Sequence, residues 1–307
     1  METTPQPTPR LEAASLGAIA YEVLSTDQPA SVLGATSLGI YIKPAAPWLI
    51  YLSFTRFRGP QTITLNEASP VLDWISVGQP VQLTSQALVF PQAGLQVSLV
   101  GSQVWQPAPP TSPPLEQPER YQNLVCLANE AGLKMNMDDL GSNLPRLPGS
   151  PSASLPPRFM DVFAGDDILQ IQSRLRQKAA LPLARLLENK LGAGPGLTPA
   201  ADDFVLGLLL SLNRWPNLFW QAGSLPTLNR HMVQAACART TLLSANLIEC
   251  AARGWADERL IKALDLMVTG VASEPEIIPS LLGWGSSSGA AAFLGMAVAL
   301  GIALSPP

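Results

Sequence analysis

The residues best suited to chemistry lie between Gly192 and Gly207, in the run GAGPGLTPAADDFVLG. Gly192, Gly194 and Gly196 permit backbone conformations with positive φ, and Pro195 fixes one φ between them, so a tight turn with converging amides is expected. Thr198 followed by Pro199 reads as a helix start: the hydroxyl is expected to cap free amides and the proline to occupy the first helical position. Asp202 and Asp203 then fall in or near the first turn, with Phe204, Leu208 and Leu212 on one apolar stripe below them. This pattern places the acids at a mouth and the leucines in a core.

The paired acids restrict the ligand. A bare helix start attracts phosphate, but two adjacent carboxylates repel it unless a cation intervenes or one acid is protonated. The expected ligand is a Mg²⁺-bridged phosphate, with Asp202 and Asp203 as candidate metal ligands, or a small polar molecule whose NH groups the aspartates accept. The bland alternative is that both acids only complement the helix dipole, worth roughly 0.3–1 kcal/mol each. No cofactor other than Mg²⁺ is suggested.

Two further segments could complete the site. Gly283-Trp284-Gly285-Ser286-Ser287-Ser288-Gly289 repeats the scheme of a small polar turn before an apolar run, and Ser287 and Ser288 could form its other wall. The segment Arg239-Thr240-Thr241-Leu242-Leu243-Ser244 reads as the interior of one helix from about Leu228 to Arg253. There Thr240 and Ser244 share a face, and Arg239 can grip a carboxylate or phosphate through its planar fork. Mid-helix hydroxyls also commonly bond their own backbone. His231, the only histidine, has no partner evident from sequence and is expected at the surface, so a Ser-His-Asp triad or a histidine-rich metal site has little support.

The elements that must position these groups fall into two unlike halves, an α+β organisation. From Leu11 to Trp105, runs such as SLGIYI, PWLIYLSF, QTITL, VQLTSQALVF and LQVSLVGSQVW are separated by Gly, Pro and Asn. They predict a β-rich domain, barrel- or sandwich-like, over 11–107. The proline-rich stretch 108–120 reads as an extended linker. Residues 121–307 then form a mostly helical domain carrying the Gly-rich and Asp-Asp site. In it Ile168, Ile171, Leu175, Leu183, Leu186, Leu187 and Leu191 recur at three- and four-residue spacing. Residues 1–10 read as a disordered tail, and Gly141 to Arg158 as an irregular stretch long enough for a lid.

With 307 residues, 47% hydrophobic, the chain can bury a large core. A net charge of -4, with scattered Lys and Arg, argues against nucleic acid as a partner. Three widely spaced cysteines fit neither a disulfide framework nor a zinc site, which points to a reducing, cytoplasmic setting. The apolar run Gly289 to Leu304 is shorter than the roughly 20 residues a bilayer needs, so a buried helix is expected rather than a membrane span.

These motifs resemble a known family. GAGPGLTPAADDFVLG is similar to the hallmark of the AllH family, close to G-x-G-x-G-L-T-P-x-G-D-D-x-L-x-G, which is often described as a domain of unknown function or a carboxylase. Arg239 to Ser244 and the late Gly-Ser turn also resemble that family. The resemblance implies a subunit of an oxamate carbamoyltransferase of purine and allantoin degradation, assembled from three kinds of subunit and acting between oxalurate, phosphate, oxamate and carbamoyl phosphate. It implies roles for Thr198, Asp202 and Asp203 in catalysis. Gly194, Gly196, Leu197, Arg239, Thr240, Ser244, Ser287 and Ser288 would bind the substrate or anion. The expected partners are a small anionic or amide-bearing metabolite and other subunits. The chain departs from the family pattern at Ala201, where glycine is usual, and at Ala291, where an acid is expected. Two other readings stand beside this one: a noncatalytic scaffold or ligand-sensing subunit, and a Mg-dependent small-molecule phosphotransferase. The second rests on the late turn, which taken alone resembles the phosphate-cradling Gly-Ser-Ser loop of the kinase superfamily that includes galactokinase and homoserine kinase.

Overall fold

The computed structural model describes residues 10–66, 74–131, 162–163, 165–220, 223–271, 276–285 and 287–303. The tail expected over residues 1–9 and the lid expected over Gly141 to Arg158 lie outside them. The chain divides into two compact units, Met1–Pro107 and Ala108–Pro307.

The first unit is a barrel. Its strands are β1 (Arg10–Gly17), β2 (Gln28–Thr36), β3 (Gly39–Pro44), β4 (Ile50–Ser53), β5 (Thr62–Leu65), β6 (Pro80–Leu83), β7 (Ala87–Phe90), β8 (Leu95–Ser98) and β9 (Gln103–Trp105), with one short helix, α1 (Ala18–Leu24). The sheet runs β5-β4-β3-β2-β6-β7-β8-β1-β9. Closure depends on β1, which uses different stretches for different neighbours. Arg10 to Glu12 lie parallel to β8, whereas Ala13 to Leu16 run antiparallel to β5, with a bulge between Ala13 and Ser15. Eight strands thereby form a ring, and β9 extends it from β1. Closure removes the open edges that an eight-stranded sheet would otherwise expose. Alternating apolar residues fill the unit: Val32, Ile40, Ile42, Ile50, Leu52, Ile63, Val81, Leu83, Leu88, Phe90, Leu95 and Val97 are all buried. Of the two architectures open at the sequence level, closure through β1 selects the barrel.

The second unit is helical: α2 (Gln117–Glu130), α3 (Gly165–Arg176), α4 (Ala180–Glu188), α5 (Ala200–Arg214), α6 (Pro216–Phe219), α7 (Leu225–Arg239), α8 (Leu242–Ala252), α9 (Glu258–Thr269), α10 (Ile277–Leu282) and α11 (Ser288–Ala303). Two boundaries differ from the sequence expectation. The end of the proline-rich stretch is already helical, because Pro118 sits at the start of α2, where its missing N–H costs nothing. The helix expected from Leu228 to Arg253 is two helices. Thr240 is extended, and Thr241 caps α8 by accepting the Ser244 amide at 3.1 Å. Thr240 and Ser244 therefore do not share a helical face.

Helices α5 and α11 form the centre of this unit. Every residue of α5 from Ala200 to Leu212 is buried, so its apolar surface is a whole cylinder rather than the single stripe of Phe204, Leu208 and Leu212. The two helices cross at glycines. A Cβ on Gly207 would lie 2.0 Å from the Ala292 carbonyl oxygen, and one on Gly295 would lie 2.1 Å from the Phe204 carbonyl oxygen. No larger residue fits at either point, and each glycine brings a backbone carbonyl of one helix onto the axis of the other. At its far end α5 is clamped by Arg214, whose Nε and Nη2 donate to Asp265 at 2.7 and 2.6 Å. Among the described residues, no helix is long and apolar enough to cross a membrane.

Because the contact is with backbone on a facing helix, Gly207→Ala forces α5 and α11 apart. The expected loss of stability is about 1–3 kcal/mol, visible as a lower urea midpoint. An unchanged midpoint would contradict the crossing.

Candidate functional site

The site forms where the segment before α5, the junction between α7 and α8, and the start of α11 meet. Gly192 adopts a φ of 77°, and a Cβ there would lie 2.5 Å from the Arg239 carbonyl oxygen. Only glycine allows both the left-handed backbone and this approach to the end of α7. Gly194, Gly196 and Leu197 form an exposed rim, with Leu197 52% exposed.

Thr198 does not act as the expected helix cap. Pro199 occupies the N-cap position without a side-chain bond, and the Thr198 hydroxyl instead pairs with that of Ser288 at 3.0 Å. This bond joins the two glycine-containing turns, 90 residues apart in sequence, into one wall. Ser287 lies half-buried one residue before α11. The Thr241 hydroxyl adds a third strut by donating to the Leu197 carbonyl at 2.6 Å, a contact that sequence reading missed.

Asp202 and Asp203 do lie in the first turn of α5, but not at a mouth: each is only 1% exposed. Asp202 is fully engaged. Its Oδ1 accepts the Gly192 amide at 2.8 Å, and its Oδ2 accepts the Thr240 hydroxyl. The two bonds draw its pKa down, yet burial outweighs them and the net shift is upward. Asp203 is different. Its Oδ2 is buried without a hydrogen-bond partner among the described residues. Burial pushes its pKa up to about 7; Asp202 adds to the rise, and the nearby Ser288 and Thr198 hydroxyls oppose it. At most one of those two hydroxyls can donate to the other, and Asp203 Oδ2 itself has no hydrogen-bond partner among the described residues.

Ser244, 2% exposed, lies beside Asp202, and hydrogen bonding from its hydroxyl is the smallest of the three causes that draw that carboxyl's pKa down.

Arg239 and His231 share one partner. Arg239, expected to grip a carboxylate or phosphate, is 48% exposed and has its Nε 3.0 Å from Glu188 Oε1. His231 has a partner after all, Glu188 Oε2 at 2.7 Å, and is only partly exposed. Hydrogen bonding from His231 is the main cause that holds the Glu188 carboxyl below its ordinary range. Sequence reading missed Glu188 because its partners, His231 and Arg239, lie far along the chain on α7. The group ties the end of α4 to α7 behind the Gly192 turn.

As a metal centre the site is short of open donors. Among the described residues no group of three or more His, Cys, Asp or Glu gathers. Each Asp202 oxygen already accepts a hydrogen bond, whereas Asp203 Oδ2 has no partner among the described residues. A resident Mg²⁺ held by both aspartates does not fit this arrangement, since that ion requires several oxygen ligands in octahedral array.

The departures from the expected motif are both apolar and both buried: Ala201 within the first turn of α5, and Ala291 in the first turn of α11. Comparison with known proteins adds one match. Residues 190–300 match the model of the AllH family, described as oxamate carbamoyltransferase subunit AllH, which supports an AllH family assignment. The matched region contains the glycine turn, both aspartates, the α7–α8 junction and the start of α11. No curated protein matches the chain, and no solved structure does.

Two outcomes follow from the acids. Between the ordinary aspartate value of 3.8 and about 7, folded Asp203 keeps a proton that the unfolded chain releases. Its contribution to stability is complete below the unfolded value and is lost as pH rises through about 7. Thermal midpoints across this range should fall with pH, and Asp203→Asn should flatten the slope; an identical slope in the variant would refute the assignment. Thr240→Val strips one donor from buried Asp202 and should cost about 1–3 kcal/mol in urea unfolding. No change there would mean that the Thr240 bond does not brace the site.

Proposed function

We propose that the chain is a subunit of a carbamoyltransferase-related enzyme acting on small carboxylate and amide substrates, and that Asp203 is its working acid. The carrying observation is the division of labour between adjacent acids. Asp202 spends both oxygens on the Gly192 amide and the Thr240 hydroxyl, whereas Asp203 keeps a buried oxygen open and titrates near neutrality. The family name at residues 190–300, that of an oxamate carbamoyltransferase subunit, supports the reading.

The chemistry suits such a group. In phosphorolysis of oxalurate, a phosphate oxygen bonds to the carbamoyl carbon and the bond from that carbon to the oxamate nitrogen breaks. The departing nitrogen must gain a proton, and phosphate must lose one. A carboxyl with a pKa near the working pH can give the proton to nitrogen and recover one from phosphate. The exposed rim at Gly194 and Gly196 is where the anionic end of a substrate would meet the turn amides, while Thr198 and Ser288 hold the wall in place. Mg²⁺, where it takes part, would arrive with the phosphate rather than reside between the aspartates. Other subunits would complete the enzyme.

The alternative, a noncatalytic scaffold or sensing subunit, is favoured by the same buried braces, because they also close a helix junction. A thermal-shift panel of oxamate and carbamoyl phosphate, each with and without Mg²⁺, separates the two. Ligand at 100 times its Kd should stabilise the chain by about 2.7 kcal/mol, and Asp203→Asn should abolish the shift. Silence with every ligand would overturn the enzymatic reading in favour of the scaffold.

A further inference from the structure

The acid of the proposed reaction is only 1% exposed, so it does not meet a ligand at the rim directly. Two hydroxyls stand beside it. Ser288, at the start of α11, is 9% exposed, and Thr198, which follows the exposed Leu197, is half-buried. Exposure therefore rises from Asp203 through Ser288 to Thr198. The hydroxyls pair at 3.0 Å, and both lie close enough to Asp203 to hydrogen-bond its carboxyl, Ser288 with the larger effect.

A hydroxyl can accept a proton on one side while giving one up on the other. The other braces of the site lack that freedom. The Gly192 amide only donates, the Thr240 hydroxyl is committed to Asp202, and the Thr241 hydroxyl donates to a fixed acceptor, the Leu197 carbonyl. The Thr198–Ser288 bond alone has no set direction, since either oxygen can be its donor.

We infer that Thr198 and Ser288 form a proton relay connecting buried Asp203 to a substrate on the Gly194–Leu197 rim, with Thr198 the hydroxyl that touches the substrate and Ser288 a positioning residue between it and the acid. This rests on the proposed function above and adds the path its proton takes. As the bond from the carbamoyl carbon to nitrogen breaks, Thr198 gives its hydroxyl proton to the departing nitrogen, Ser288 gives its own to Thr198 Oγ1, and Asp203 gives its own to Ser288 Oγ. Both hydroxyls end neutral, and Asp203 ends as the carboxylate. The proton that phosphate loses returns along the same three groups in reverse. Asp202, the other acid beside Asp203, stays outside the path with an oxygen on Gly192 and the other on Thr240.

The relay can be tested without turnover or ligand. The infrared carbonyl band of a protonated carboxyl shifts when deuterium replaces its proton, and the Asp203 band is the one that Asp203→Asn removes. The full chain is diluted rapidly into heavy water below about pH 7, where Asp203 holds its proton. In Thr198→Val and in Ser288→Ala the shift of this band should slow at least about tenfold, because exchange must then wait for local opening. Thr198→Ser should restore the rate. A wall merely loosened by the substitutions would exchange faster, the opposite sign. An unchanged or faster rate in either variant overturns the relay and leaves the proposed function standing, as does a slow rate that Thr198→Ser fails to restore. Absence of any band that Asp203→Asn removes would take away the acid of the proposed function and the relay with it.

Discussion

The Asp202 carboxylate joins three pieces of chain: the turn before α5, α5 itself and the junction between α7 and α8. One oxygen receives the amide of a left-handed glycine before α5, and the other receives a hydroxyl from the break between α7 and α8. It acts beside the Thr241 hydroxyl, which donates to the Leu197 carbonyl and ties the same segment to the α7–α8 junction. Burying a carboxylate is tolerable because both oxygens are satisfied; an unpaired one in the same place would be among the most costly features in the fold. The site is thus organised around a buried acid whose two oxygens are both engaged by the chain.

The neighbouring acid inherits its properties from that arrangement. Two carboxyls in consecutive positions at the start of a helix cannot both ionise cheaply once buried. The donors supplied by Gly192 and Thr240 go to Asp202, so the penalty falls on Asp203. The glycine crossing of α5 and α11 makes the burial unavoidable. Gly207 and Gly295 bring the two helices into backbone contact, which carries the first turn of α5 up against Ser288 and shuts water away from Asp203. A packing feature about one turn below the acids therefore sets the proton affinity above.

Much of this arrangement can be read from the amino-acid order, and the exceptions have a common cause. Strand-like runs before Trp105 and helical spacing after Phe159 give the two halves, because period and β-branching are local properties. Barrel closure is less legible: it depends on β1 changing partners midway, from β8 to β5, at a bulge that no local signal marks. The glycine turn and the first-turn acids are likewise local. Thr198 is not, since its hydroxyl prefers a serine 90 residues away to the amides beside it. The break at Thr240 and Thr241 is hidden because threonine tolerates a helix interior; only the pairing of a capping hydroxyl with the Ser244 amide three residues on hints at a new start.

Charged residues are the least legible of all. Arg239 stands beside two threonines in a motif rich in potential ligand groups, which invites the role of an anion clamp. In the fold its guanidinium turns outward to Glu188, which also takes His231, and only the Arg239 backbone carbonyl approaches the glycine turn. The guanidinium and the carbonyl of one residue thus work on opposite sides: one ties α4 to α7, the other limits position 192 to glycine. The positive charge closest in sequence to the site supports the wall from behind, and the described polar groups directed inward are acids and hydroxyls.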